Sequence, residues 1–159
     1  MLRSVTEPGG TGTLAAIQGF HVAGKTGTAQ KVVPKGKKMV RNKDGALVEK
    51  TVYGYADKLF YASFCGFAPV NHPEFVLIVI ADEPHSGNTH GGPACGPTFQ
   101  EIAKRTLCYL SRKKDVSDEE WLAEWNRKKK IEYEIRLAED KRVAERRRIN
   151  ALSSNTTKK

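Results

Sequence analysis

Lys25, Thr26 and Thr28 place one ammonium group and two hydroxyls within four residues, with Gly27 among them and Gly24 just before. Such a set can hold an anionic oxygen through charge and through hydrogen bonds. Two chemistries use the string. In one, a Lys-Thr-Gly strand faces the substrate of a serine acyl-transfer enzyme. In the other, a glycine-rich loop cradles nucleotide phosphates. Gly19-Phe20-His21-Val22-Ala23-Gly24-Lys25-Thr26 fits the pattern G-x-x-x-x-G-K-[ST], and the apolar run at residues 75–82 ends in the Asp that often accompanies it.

The elements around the string separate the two. A phosphate loop must run into a helix whose N-terminus faces the phosphates. Phe20, His21 and Val22 favour extended chain, and Gly27, Pro34 and Gly36 deny a helix a clean start. Between Lys25 and Asp82 no amphipathic helix offers the crossover that a parallel sheet requires. Residues 20–30 therefore read as a strand.

Residues 31–59 form a polar, basic excursion with Lys43-Asp44-Gly45 as a hairpin turn between Met39-Val40 and Leu47-Val48, which predicts a two-stranded arm. Its Lys35, Lys37, Lys38, Arg41 and Lys43 read as a solvated surface, with charge enough to meet an anionic partner. Residues 60–68 are aromatic-rich and end at Pro69, so they read as a strand. The almost unbroken apolar run 75–81 predicts a strand buried on both faces. The connection between them, 70–74, is short enough to make the pair antiparallel. Residues 83–96 are dense in Gly, Pro, Asn and Ser and predict a loop. Pro97 then opens a helix over 98–110, with Phe99, Ile102, Ala103, Leu107 and Leu110 on the face laid against the sheet. The expected fold class is α/β of the α+β type, an antiparallel sheet with a covering helix.

The tail differs in kind. Strong apolar runs end by residue 110, and the remainder is mainly charged. Ser117-Asp118-Glu119-Glu120 is a capping box, and Glu124/Lys128 and Glu132/Arg136 have the spacing and order that support a helix. A long charged helix follows, docked near Trp121 and Trp125 if anywhere, with a disordered end from Ser153. The chain divides into a core at 1–112 and a tail at 113–159. Of 159 residues, Lys and Arg exceed Asp and Glu by a net +9. The two signs are interleaved, which favours a solvated surface over a nucleic-acid or membrane adaptor. Cys65, Cys95 and Cys108 are scattered and read as small buried residues; with the four histidines they show no metal-ligand spacing, so no metal or cofactor is expected. No run approaches the roughly 20 apolar residues that span a bilayer, and no signal peptide opens the chain.

The order of features is more specific than any one motif. "VAGKTGTAQK", "YASFCGFAP", "PEFVLIVIADEP" and "HGGPACGPTFQEIA" together resemble the C-terminal end of the transpeptidase domain of class B penicillin-binding proteins, over about residues 1–110. The resemblance implies the last strands and final helix of that α/β fold. It implies a peptidoglycan D,D-transpeptidase of the division or elongation type, which cross-links D-Ala-D-Ala stem peptides through an acyl-serine and binds β-lactams. Lys25 would set a positive charge near the nucleophile and the substrate carboxylate. The hydroxyls of Thr26 and Thr28 would hydrogen-bond to that carboxylate, and Gly27 would let the substrate backbone approach. The backbone N–H of Thr28 would be one of two oxyanion donors. The parent protein would be anchored in the bacterial cytoplasmic membrane with this domain outside, among other cell-wall synthesis or division proteins; nucleic acid is not expected as a partner.

The family's S-x-x-K and S-x-N motifs should precede Lys-Thr-Gly and do not. Ser111-Arg112-Lys113-Lys114 and Ser153-Ser154-Asn155 copy them afterwards, in polar sequence where nothing desolvates a lysine. The expectation is therefore a fragment whose nucleophilic serine lies upstream, together with the other half of the domain. A catalytically dead binding paralogue, a nucleotide-binding fragment and a basic adaptor are the alternatives.

Overall fold

A computed structural model describes residues 1–85, 89–110 and 113–156, with side chains through Ile149. Three strands form one antiparallel sheet in the order β1-β2-β3: β1 is Ala23–Arg41, β2 is Leu47–Ala68 and β3 is Phe75–Asp82. Helix α1, Gly91–Tyr109, covers one face, and helix α2, Asp118–Thr156, follows. Fold class and antiparallel order agree with the sequence reading.

The core lies between the sheet and α1. Buried residues of α1 recur at Cys95, Phe99, Ala103 and Leu107, one turn apart, so a single stripe meets the sheet. Phe99 meets Phe64 of β2 edge-on, ring centroids 4.8 Å apart, and both rings are fully buried. Ala15, Ile17, Phe20 and Val22 from the N-terminal segment close the end of this core.

Several elements depart from expectation. Strand β1 opens at Ala23, because Gly19 turns the chain at φ 84° and Ile17 bridges back to Phe20. Helix α1 begins at Gly91 with Pro97 inside it, since burial of Gly91, Gly92 and Cys95 against the sheet extends the helix back past the proline. Its Ile102 is exposed. Strand β3 is not buried on both faces: Val76, Ile78 and Ile80 are 73%, 57% and 62% exposed while alternate residues face the core. The single covering helix lies on one side, and β3 is an edge strand among the described residues. Only Cys95 of the three cysteines is buried; Cys65 lies on β2 and Cys108 on α1, both exposed.

The expected arm is present, and it is continuous with the core strands. Both β1 and β2 run unbroken through it, closed by a turn in which the Asn42 side-chain carbonyl accepts the N–H groups of Asp44 and Ala46. The capping box at Ser117 forms: its hydroxyl accepts the Glu120 N–H at 3.2 Å, and the Glu120 carboxylate accepts the Ser117 N–H at 3.1 Å. The helical backbone continues past Ser153 to Thr156. Ser111 and Arg112, residues 86–88 of the expected loop, the side chains of Ser153, Ser154 and Asn155, and residues 157–159 lie outside the described residues.

Candidate functional site

Lys25, Thr26, Gly27 and Thr28 lie near the start of β1, the outer strand of the sheet. Thr26 and Gly27 are half-buried; Lys25 and Thr28 are exposed. The N–H of Gly24 points away from β2, donating to the Leu2 carbonyl at 3.1 Å, and the Val22 carbonyl accepts the buried Thr6 hydroxyl on that same side. A strand's backbone groups alternate with a period of two residues. The amides and carbonyls of Thr26 and Thr28 therefore face the same outer edge, where no strand pairs with them among the described residues. Lys25 bends over that edge, its Nζ donating to the Thr26 carbonyl at 2.9 Å.

The N-terminal segment braces this edge. Its hydrogen bonds at Leu2 and Thr6 end at Thr11, whose hydroxyl lies 3.1 Å from that of Thr26. From the other side comes the start of α1. A Cβ on Gly91 would stand 2.0 Å from the Ser63 carbonyl oxygen and 2.6 Å from that of Gly27, and one on Gly92 would stand 1.9 Å from the Thr11 carbonyl oxygen. The two glycines let the helix touch both strands and the brace, which explains their place in the sequence. Gly27 similarly leaves room for Ser63 Oγ, 2.5 Å from where its own Cβ would be.

At the far end of the stretch, Lys31 reaches across the sheet to Asp82 at 2.7 Å and Glu83 at 2.5 Å and lies 4.8 Å from the centre of the Tyr61 ring. Its hydrogen bonds to the acceptor carboxylates of Asp82 and then Glu83 hold the ammonium above the ordinary lysine range, against an opposing burial effect. The lysine thereby ties β1 to the end of β3, where Glu83 turns the chain with φ 52°.

Helix α2 packs its first turns beside the brace. Trp121 and Trp125 stack with centroids 4.9 Å apart, Arg3 bonds Glu124 at 2.8 Å, and Lys128 bridges Glu7 and Glu124 at 2.7 and 2.8 Å. The Lys128 hydrogen bond holds the Glu124 carboxyl below its ordinary value. Burial draws the Lys128 ammonium down, but its bonds to Glu124 and Glu7 outweigh this and the net shift is upward. The cavity left there, about 30 Å³ between Phe20, His21 and the two Trp rings, is too small for a substrate.

The expected Lys25–Thr28 group is thus brought together on one edge, while Thr11 and Lys31 escaped the sequence reading. Lys31 sits inside the run "VAGKTGTAQK", but only the register of β1, β2 and β3 reveals its partners. The structure agrees with setting the phosphate loop aside: Lys25 and Thr26 stand within the 19-residue strand β1, and the next element is strand β2 and not a helix.

The chain belongs to the penicillin binding protein transpeptidase domain family, whose model matches residues 1–104. It is 41% identical over 110 residues to the probable peptidoglycan D,D-transpeptidase PenA of Neisseria gonorrhoeae, covering 69% of this chain and 16% of that protein. To the peptidoglycan D,D-transpeptidase FtsI of Escherichia coli K12 it is 37% identical over 116 residues, 73% of this chain and 17% of that one. Among solved structures, the apo transpeptidase domain of Burkholderia pseudomallei penicillin-binding protein 3 superposes with a TM-score of 0.55 at 36% identity, covering 73% of this chain and 30% of that one. The chain therefore spans a small part of the length of the relatives it matches.

Proposed function

We propose that this chain supplies the substrate-binding strand of a serine-type peptidoglycan D,D-transpeptidase. The reading rests on the open edge of β1, where the Lys25 ammonium, the Thr26 hydroxyl and the outward backbone of Thr26 and Thr28 stand together. A peptide laid along such an edge gains main-chain hydrogen bonds as an added strand would. Lys25 then carries positive charge to the nucleophile and to the terminal carboxylate of a D-Ala-D-Ala stem peptide. The hydroxyls of Thr26 and Thr28 hydrogen-bond to that carboxylate, and Gly27 keeps the path clear. The Thr28 amide acts as one oxyanion donor, a contact worth about 2.7–4 kcal/mol in the transition state. A β-lactam takes the place of the stem peptide.

In this proposal the nucleophilic serine belongs to a preceding part of the protein. Similarity to only 16% of the PenA length supports it. So does the uncovered face of Val76, Ile78 and Ile80, which that part would bury. Residues 1–112 then form the end of the transpeptidase domain and 113–159 a separate helical tail. No helix among the described residues is long and apolar enough to cross a membrane, and an anchor in the bacterial cytoplasmic membrane is assigned to the preceding part, in company with other cell-wall proteins. The test is to join the chain to its preceding coding sequence and expose it to a labelled penicillin. One serine upstream of Met1 takes up label, and Lys25→Ala lowers the acylation rate by roughly 10². Absence of label in the joined protein, or an unchanged rate in the variant, refutes the reading.

A further inference from the structure

Helix α2 lies beyond residues 1–104, which the transpeptidase family model matches, yet it packs beside the brace of the substrate edge. Between the brace and α2 runs an open groove of about 590 Å³, a size that suits a ligand of several residues. Its apolar walls are Val5, Pro8, Ile131 and Ile135. Thr11 lines it as well, and the Thr11 hydroxyl meets that of Thr26, so the groove is continuous with the edge at Lys25–Thr28. Three charged side chains also line it: Glu7, Lys128 and Glu132. Two of them are spoken for. Lys128 binds Glu7 at 2.7 Å and Glu124 at 2.8 Å, and Glu7 is held by Arg3 at 2.7 Å.

Glu132 is different. Its spacing to Arg136 favours an ion pair along the helix, but the side chain turns to Gly9 instead, its Cγ and Cδ 3.4 and 3.7 Å from where a Cβ on that glycine would stand. Among the described residues this half-buried carboxylate has neither an ion-pair nor a hydrogen-bond partner. A carboxylate so placed favours a cation beside it. Acyl transfer between two stem peptides also requires a second peptide with an amine: its C–N bond to the acyl carbon forms, the C–O bond to serine breaks, and the proton lost by nitrogen goes to oxygen. The edge at Lys25 and Thr26 suits the peptide that ends in a carboxylate, and its own lysine repels a cation. We propose that the groove between α2 and the brace receives the second, amine-bearing stem peptide, with Glu132 against its ammonium and Val5, Ile131 and Ile135 against its aliphatic part. The ammonium form binds, and the neutral form in equilibrium with it attacks the ester. The stem peptide as occupant rests on the transpeptidase reading; the preference for a cation does not.

The test titrates the whole chain with the peptide Ala-Lys-Ala, blocked at both ends by acetyl and amide groups, and follows the backbone amides by nuclear magnetic resonance. The peptide shifts the amides of Gly9, Gly10 and Thr11. Its Nε-acetyl form, which carries no charge, binds roughly fivefold more weakly, as the loss of a half-exposed ion pair demands. Glu132→Gln weakens the charged peptide by the same roughly fivefold and removes the preference, whereas Glu132→Asp keeps part of it, both with an unchanged circular dichroism spectrum. Arg136→Gln leaves binding within about twofold. Equal binding of the two peptides, a preference that survives Glu132→Gln, or shifts that avoid residues 9–11 overturns the proposal. Loss of peptide binding when the preceding coding sequence is joined also overturns it and gives the groove to that part of the protein. Failure of the joined protein to take up labelled penicillin is a separate result: it removes the transpeptidase reading and the stem peptide with it, whereas binding that ignores charge removes the groove alone.

Discussion

Replacing Gly91 with alanine sets two physical effects against each other. In a free helix the change stabilises by about 0.8–1.0 kcal/mol, the propensity difference between the two residues. In this fold the added Cβ stands 2.0 Å from the Ser63 carbonyl oxygen and 2.6 Å from that of Gly27. An ordinary carbon–oxygen contact begins at about 3.3 Å, so α1 must withdraw by about 1 Å from two strands together. Withdrawal loosens Phe99 on Phe64 and stretches the bond from Cys95 Sγ to the Ala62 carbonyl. Overpacking costs about 1–3 kcal/mol, and with backbone as the obstacle the upper end applies. The net loss is about 2 kcal/mol, which at a urea slope of about 2 kcal/mol/M lowers the unfolding midpoint by about 1 M. Far-UV circular dichroism of the chain in urea measures this. Gly45→Ala is the comparison: its Cβ meets nothing within 4 Å, but φ is 81°, so backbone conformation alone costs about 1 kcal/mol. A Gly91→Ala midpoint at or above that of the parent chain refutes the contact between α1 and the strands.

Three further outcomes are expected. The Glu124 carboxyl has its folded value lowered below the ordinary 4.5 by Lys128, so its contribution is present above that pH and is lost as pH falls below it; Trp121 and Trp125 fluorescence should report loosening of α2 only on that acid side, and a flat trace there shows the ion pair to be idle. Deleting residues 116–159 should cost the core less than about 2 kcal/mol, because α2 grips the brace only through two half-buried Trp rings and a few part-buried ion pairs; a larger loss in a thermal or urea melt makes those rings part of the core. The chain by itself should form no covalent adduct with labelled penicillin, and an adduct mapped by mass spectrometry to one of its own serines contradicts an upstream nucleophile.

Local signals explain how much of this was legible in the sequence. The Lys43-Asp44-Gly45 turn, the Ser117 capping box and the four-residue rhythm of Phe99, Ala103 and Leu107 each depend on neighbours in the chain, and each formed. The apolar run of β3 reports what a strand can bury, whereas the exposure of Val76, Ile78 and Ile80 depends on what lies above them, which no run of residues states. The missing N–H of Pro97 signals a helix start locally, but Gly91 and Gly92 draw the helix back to contacts with Ser63, Gly27 and Thr11. The Lys25–Thr28 group was visible as a string, since four consecutive residues need no fold to bring them together. Thr11 and Lys31 were not, because their partners come from strand register and from a loop distant in sequence.

Two register shifts lie between Lys25–Thr28 and the tip of the arm. At the first, Gln30 pairs with Phe60 and Val32 with Tyr55, so residues 56–59 of β2 stand opposite Lys31 alone; at the second, Lys35 is the extra residue between Pro34 and Gly36. A ribbon bends where its ladder is interrupted. Lys31, clamped to Asp82 and Glu83, sits at the inner of these joints. A force on the tip at residues 42–46 is therefore taken up as flexing at the joints, with Lys31 as the pin that stops it. Both joints lie between that tip and the edge at Thr26 and Thr28, so bending of the arm is taken up at residues 30–36 before it reaches the edge.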